Sequence, residues 1–264
     1  AFRKKRHDDA YTPGGRHGAR PNRACIVYTG LLRQAFPGLP VVIGGIEASL
    51  RRITHYDFWS DKLRRSILLD SKADLLVYGM GERAVLEVAR RLRDNPENLA
   101  YLRGIAGTAF AVPADSFGIP ADAIVEVLPA HEAIENDAKL LMEATLALER
   151  QVHSGDAWAR QRCGNREIVL TPPPAPLTTP ELDALYALPF TRRPHPQYQE
   201  PIPAAQMILF SITSHRGCGG GCSFCSLALH QGRRITSRSE ESIEAEARLM
   251  TRHPDWRGSI TDIG

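Results

Sequence analysis

Three cysteines fall within eight residues of glycine-rich sequence, Arg216-Gly217-Cys218-Gly219-Gly220-Gly221-Cys222-Ser223-Phe224-Cys225, at the spacing C-x3-C-x2-C. Thiolates this close cannot all pair as disulfides without leaving one unmatched, and a shared cation makes neighbouring negative sulfurs tolerable. Three thiolates leave a four-coordinate metal one ligand short. In a cluster of four irons, Cys218, Cys222 and Cys225 would hold three, and the fourth iron would keep an open position at which chemistry can occur. The intervening glycines lack side chains, so the backbone can stay near the sulfurs and aim amides at a negative cluster.

Two other chemistries fit these residues. A structural zinc module would use the three cysteines with His215 or His230 as a closed tetrahedral site, although zinc modules usually present ligands as two separated pairs. An iron–sulfur electron carrier or sensor would normally give every iron a protein thiolate, and no fourth cysteine stands nearby. Cys25 reads as a small buried hydrophobe in a helix. Cys163, between Arg162 and Gly164, reads as more exposed, and His215 and His230 flank the loop, where either could touch substrate but a structural or supporting role is the ordinary reading.

The elements around the cysteines define where the loop sits. Met207 to Thr213 is a run of apolar and β-favouring residues that predicts a buried parallel strand. Ser237-Arg238-Ser239-Glu240 is a capping-box pattern opening a helix with Ile243, Ala247 and Met250 on one face, ended before Pro254. Ser259 to Gly264 predicts a second strand. The cysteines then occupy the loop at the carboxyl end of a strand in a β–α–β unit, where α/β folds place their sites.

With its aromatic Phe224 before the last cysteine, this spacing resembles the signature of radical S-adenosylmethionine (SAM) enzymes. Ser214-His215-Arg216-Gly217-Cys218, His230-Gln231-Gly232-Arg233-Arg234-Ile235 and Gly44-Gly45-Ile46-Glu47-Ala48-Ser49-Leu50-Arg51-Arg52 resemble the YgiQ-type branch of that family. The resemblance implies a [4Fe-4S] cluster on Cys218, Cys222 and Cys225. It also implies SAM on the unique iron beside Phe224 and Gly264, and reductive cleavage to a 5′-deoxyadenosyl radical acting on an unknown substrate. An external electron donor of the flavodoxin or ferredoxin kind is implied as well.

Upstream, two strand–helix cycles are predicted. Asn22 caps a helix through Phe36, stopped by Pro37-Gly38, and Val41-Val42-Ile43 is a short strand ending in Gly44-Gly45. Ser60 to Leu69 is expected as a helix, Asp74 to Tyr78 as a strand, Gly79-Met80-Gly81 as the turn, and Glu82 to Arg93 as the next helix. Such alternation implies an α/β fold with a Rossmann-like, doubly wound parallel sheet. Gly44-Gly45, Gly79 to Gly81 and Ile105 to Phe110 are similar to the cobalamin-binding-type domain that precedes many radical SAM barrels. The D-x-H-x-x-G motif whose histidine ligates cobalt there is absent from this chain, so the similarity speaks for the fold and not for cobalamin.

Ile124 to Leu128 is expected to close that sheet, and Ala130 to about Gln151 to form one long helix with Ile134, Ala138, Leu141, Ala144 and Leu148 as its stripe. Residues 164–204 carry so many prolines that they read as a semi-rigid connector. The expected organisation is residues 1–128 as the Rossmann-like domain, 129–204 as helix and connector, and 205–264 as the first β/α units of a partial TIM-type radical SAM barrel. One and a half repeats of such a barrel imply a fragment of a longer protein.

With 264 residues and 43% hydrophobic content the chain can bury proper cores. No stretch approaches the roughly 18–20 apolar residues of a membrane span, and the opening Ala-Phe-Arg-Lys-Lys-Arg is not followed by a signal-peptide hydrophobic region, so a cytoplasmic location is expected. A net charge of +3 does not call for a nucleic-acid partner. The pairs Arg51-Arg52, Arg64-Arg65, Arg90-Arg91, Arg192-Arg193 and Arg233-Arg234 read as solvated faces or ion-pair partners.

Overall fold

The computed structural model describes residues 7–222 and 224–264. The opening Ala1 to Arg6, read above for its lack of a signal sequence, and Ser223 of the cysteine loop lie outside them. The chain forms two compact units, one from Arg23–Ala175 with Cys218–Arg233, the other from Ala1–Asn22 with Pro176–Gly217 and Arg234–Gly264.

The first unit follows the predicted cycles at its start. Helix α1 (Ala24–Ala35) leads to β1 (Val42–Ile43) and the short α2 (Gly45–Leu50); a hairpin of β2 (His55–Asp57) and β3 (Lys62–Arg64) precedes α3 (Ile67–Ser71). Then come β4 (Leu75–Val77), α4 (Glu82–Asp94), β5 (Thr108–Pro113), β6 (Val125–Leu128), α5 (His131–Asn136), α6 (Lys139–Ser154), β7 (Trp158–Cys163) and β8 (Arg166–Leu170). Among the described residues the sheet has six strands in the order β1-β4-β5-β8-β7-β6.

Alternation along the strands covers both faces of this sheet. Leu76, Tyr78, Ala109, Ile168 and Leu170 pack with Ala48, Leu68, Ile134 and Leu148 on one side. Leu75, Val77, Phe110, Val112 and Val169 pack with Ala84, Val88 and Leu102 on the other. Helices on both faces of one sheet give the α/β class and the Rossmann-like layering. The sheet itself is mixed: β1–β4 and β6–β7 are parallel, while β4–β5, β5–β8 and β7–β8 are antiparallel. For β7–β8 the reason is local, since the two are joined by the two-residue turn Gly164-Asn165, which only an antiparallel pair can use.

Several expected elements take another form. Ser60 to Leu69 is not one helix: Asp57 accepts hydrogen bonds from Ser60 and Arg23, Asp61 turns with φ 55°, and the chain returns as β3. The helix expected from Ala130 to Gln151 breaks at Asp137 (φ −137°, ψ 104°), whose carboxylate accepts from the Lys139 amide at 3.0 Å and starts α6 afresh. The connector expected from residue 164 instead begins with β8. Cys163, expected to be exposed, is buried at the end of β7, where burial raises its pKa.

In the second unit, α7 (Thr179–Tyr186) opens with a capping box of Thr178 and Glu181, and α8 (Pro203–Ile208) starts on Pro203. The strand expected from Met207 is therefore only β9 (Ser211–Ile212), followed by β10 (His215–Arg216). After α9 (Leu227–Gln231), which belongs to the first unit, come β11 (Thr236–Ser237), α10 (Glu240–Thr251) and β12 (Asp262–Ile263). Ser239 is the α10 cap, accepting from the Ser242 amide at 3.1 Å. β12 pairs in parallel with β9, and Phe210, Ile212 and Met250 form the core between α10 and this pair, as a β–α–β unit requires. Glu246 of α10 is clasped by Arg192 and Arg238, and Arg238 lies 4.4 Å over the Tyr186 ring.

Candidate metal centre

The loop that carries the cysteines is pinned where it enters and leaves. The Cys218 amide donates to the Gly232 carbonyl at 3.0 Å, and the Cys225 amide donates to the Cys222 carbonyl at 3.1 Å. Between Cys218 and Cys222 the chain passes through Gly220. A Cβ built at Gly220 would stand 3.4 Å from Cys218 Sγ and 3.8 Å from Cys222 Sγ, in ordinary contact with both, so the two sulfurs flank this glycine. Cys225 Sγ accepts a hydrogen bond from the Leu227 amide at 3.5 Å, at the start of α9.

Exposure of the loop is high. Cys218 is half-buried, Cys222 and Cys225 are exposed, and Phe224 is 91% exposed. Two of the three sulfurs are gathered; among the described residues no group of three or more His, Cys, Asp and Glu side chains closes around one point. The donor set fits an iron–sulfur cluster in its chemistry, three cysteine sulfurs on one short loop with Cys218 and Cys222 flanking Gly220 and Cys222 and Cys225 exposed.

The remaining sequence candidates are accounted for unit by unit. Gly264 donates its amide to Ile212 at 3.0 Å and accepts from Ser214 at 2.7 Å, extending the β9–β12 ladder. His215 is exposed on β10, its Nδ1 3.0 Å from Ser214 Oγ. His230 lies in α9, whose neighbour in the fold is α2. Cys25 packs half-buried against the first core, and burial together with Glu47 pushes its thiol up to about 12, so it stays protonated. Cys163 is likewise an interior thiol.

Two contributors were not singled out from sequence. Gly217 has φ 94°, and a Cβ there would meet the Arg234 carbonyl oxygen at 2.1 Å, so no other residue fits. Gly232 closes the loop through its carbonyl. The signal for both is simply glycine beside the motif, which cannot be told from glycine in any tight turn. At the glycine turns after β1 and β4, α9 packs on α2, and the His230 carbonyl would lie 3.3 Å from a Cβ at Gly79.

A family model described as radical SAM N-terminal matches residues 1–211, most of the chain. The chain belongs to this radical SAM N-terminal family. Among curated proteins the chain is similar to a UPF0313 protein of Geobacter sulfurreducens, 53% identical over 263 residues, covering 99% of this chain and 43% of the relative. A UPF0313 protein of Bradyrhizobium diazoefficiens is 50% identical over 283 residues, covering 100% of the chain and 42% of the relative. One from Methanocella arvoryzae is 47% identical over 266 residues, with 100% of this chain and 43% of the relative covered. The chain thus spans less than half the length of these relatives. The family match ends before the cysteine loop, which the relatives' alignments take in. Among the described residues no helix is long and apolar enough to cross a membrane.

Proposed function

We propose that Cys218, Cys222 and Cys225 hold a [4Fe-4S] cluster and that the whole protein is a radical SAM enzyme. The observation that carries this is the pair of Cys218 and Cys222 sulfurs flanking Gly220, with Cys225 three residues on and both Cys222 and Cys225 exposed. Each cysteine would ligate one iron as thiolate, leaving one iron free of protein ligands. Bound there, the cluster and SAM would supply a reductively generated carbon radical, with the electron coming from a flavodoxin- or ferredoxin-like donor.

The chain's own residues hold and tune. The Leu227 amide donates to Cys225 Sγ, and a hydrogen bond to a ligand sulfur raises the cluster's potential. The hydrogen bond from Cys218 to Gly232 closes the loop, so the thiolates are presented from a fixed base. Exposed Phe224 and Gly264 are the residues proposed to lie beside SAM. The substrate is of unassigned chemistry.

The test is anaerobic incubation of the reconstituted full-length protein with dithionite and SAM, read by liquid chromatography. The expected products are 5′-deoxyadenosine and methionine even without substrate. A cluster-replete preparation that makes no deoxyadenosine under any reductant overturns the enzymatic reading in favour of electron transfer or sensing.

A further inference from the structure

The pair Arg51-Arg52 reads from the sequence as a solvated face or an ion-pair partner, yet Arg52 has no exposed surface and heads the large fully buried side chains among the described residues. A buried guanidinium is costly unless its charge and its N–H groups are matched. Arg52 Nη1 donates to the Ser49 carbonyl, and the guanidinium lies 4.6 Å over the Tyr78 ring. Nε and Nη2 have no hydrogen-bond partner among the described residues. Burial lowers its pKa to about 10, and only Tyr78 opposes that shift. Arg192 and Arg238 differ in sharing the carboxylate of Glu246, and Arg23 in pairing with Asp57.

The two unmatched atoms are adjacent on the guanidinium and form the fork that fits two oxygens of one carboxylate or phosphate. Tyr78 directly follows the last residue of β4, and Ser49 Oγ accepts from the Gly79 amide at 3.2 Å, so the fork lies at the carboxyl end of a strand paired in parallel with β1. Open α/β sheets take ligands at such ends. A second unmatched group stands near the same ring. Gln151, with no exposed surface, donates Nε2 to Tyr78 Oη at 2.9 Å, Ala157 O at 3.1 Å and Thr171 O at 2.9 Å, which fixes the amide and leaves Oε1 without a partner among the described residues.

We propose that Arg52 anchors a buried oxyanion site at the carboxyl end of β4, binding a phosphate or carboxylate group through Nε and Nη2. Because Arg52 has no exposed surface, binding requires a local opening of the elements packed there, α9 on α2 among them. None of the groups named at this site is one of the three cysteines.

The experiment is thermal unfolding of the whole chain in inorganic phosphate, in acetate and in chloride at matched ionic strength, for wild type, Arg52→Lys and Arg52→Met. Wild type is expected to gain several degrees, saturably, in one oxyanion over chloride; phosphate and acetate separate the two ligand classes. Arg52→Lys keeps the charge without the fork and is expected to need about tenfold more anion. Arg52→Met removes an unmatched buried charge, so it is expected to be at least as stable as wild type in chloride and unresponsive to either anion. If the methionine variant does not fold, the lysine variant and one-site calorimetric titration of phosphate or acetate into wild type carry the test. The proposal fails if neither anion stabilises wild type, or if the variants respond as wild type does.

Discussion

The centre of the sheet and the cysteine loop belong to the same compact unit and treat their polar atoms in opposite ways. At the end of β4 and β8, Tyr78 Oη donates to the Thr171 carbonyl, and Thr171 Oγ1 accepts from the Thr108 amide at 2.9 Å while donating toward Ile105 and Thr108. These bonds turn inward and make the strands' register specific. In the loop the sulfurs of Cys222 and Cys225 turn outward, and what the protein supplies is shape: an entry closed by Gly232 and two sulfurs flanking Gly220. The bonds among Tyr78, Thr108 and Thr171 hold the strands without outside help, whereas the exposed sulfurs of the loop are left to be finished by something else.

The comparison sharpens first with the ligands. Replacing Cys218, Cys222 or Cys225 by Ala is expected to lower retained iron at least about tenfold in metal analysis, with little change in the unfolding midpoint of the apo chain. In the sheet the pattern reverses. Leu170→Ala, at a site with no exposed surface, is expected to cost about 2–5 kcal/mol in denaturant unfolding by leaving a cavity.

Gly217→Ala is next, with a loss of about 1–3 kcal/mol, because its φ of 94° and the Arg234 carbonyl leave no room for a methyl group. Asp57 gives a pH test of similar size. Burial pushes its carboxyl up, but hydrogen bonds from Ser60 and Arg23 and the Arg23 charge outweigh this and hold it below the usual carboxylate range. A depressed folded pKa stabilises the fold above the unfolded value of about 4, and this is lost as pH falls below it. Acid titration of wild type is therefore expected to show a loss of stability starting near pH 4 that Asp57→Asn, weaker at neutral pH, lacks. Smallest is Gly221→Ala, within about 0.5 kcal/mol since nothing lies within 4 Å of a Cβ there, whereas Gly220→Ala is expected to reduce iron retention at unchanged stability.

How much of this is legible in the sequence differs by region. The cycles around β1 and β4 are, because 3.6-residue periodicity runs into glycine stops at Gly44 and Gly79. The β7–β8 hairpin is not, because Arg160 and Glu167 put charges where a strand pattern wants apolar residues. In the fold the two pair across the strands at 2.7 Å and cancel. The apolar run from Met207 is compatible with either helix or strand, and Pro203, four residues earlier, decides for helix. For the candidate site, the spacing of the cysteines is fully legible, while the Leu227 amide on Cys225 and the burial of Arg52 are tertiary facts that no spacing encodes.

The most direct measurement of the central claim is metal and sulfide analysis of anaerobically reconstituted full-length protein, with Cys218→Ala beside it. The account predicts about four irons and about four sulfides per chain in the wild type and neither in the variant. Stoichiometric zinc without sulfide in the wild type would contradict it.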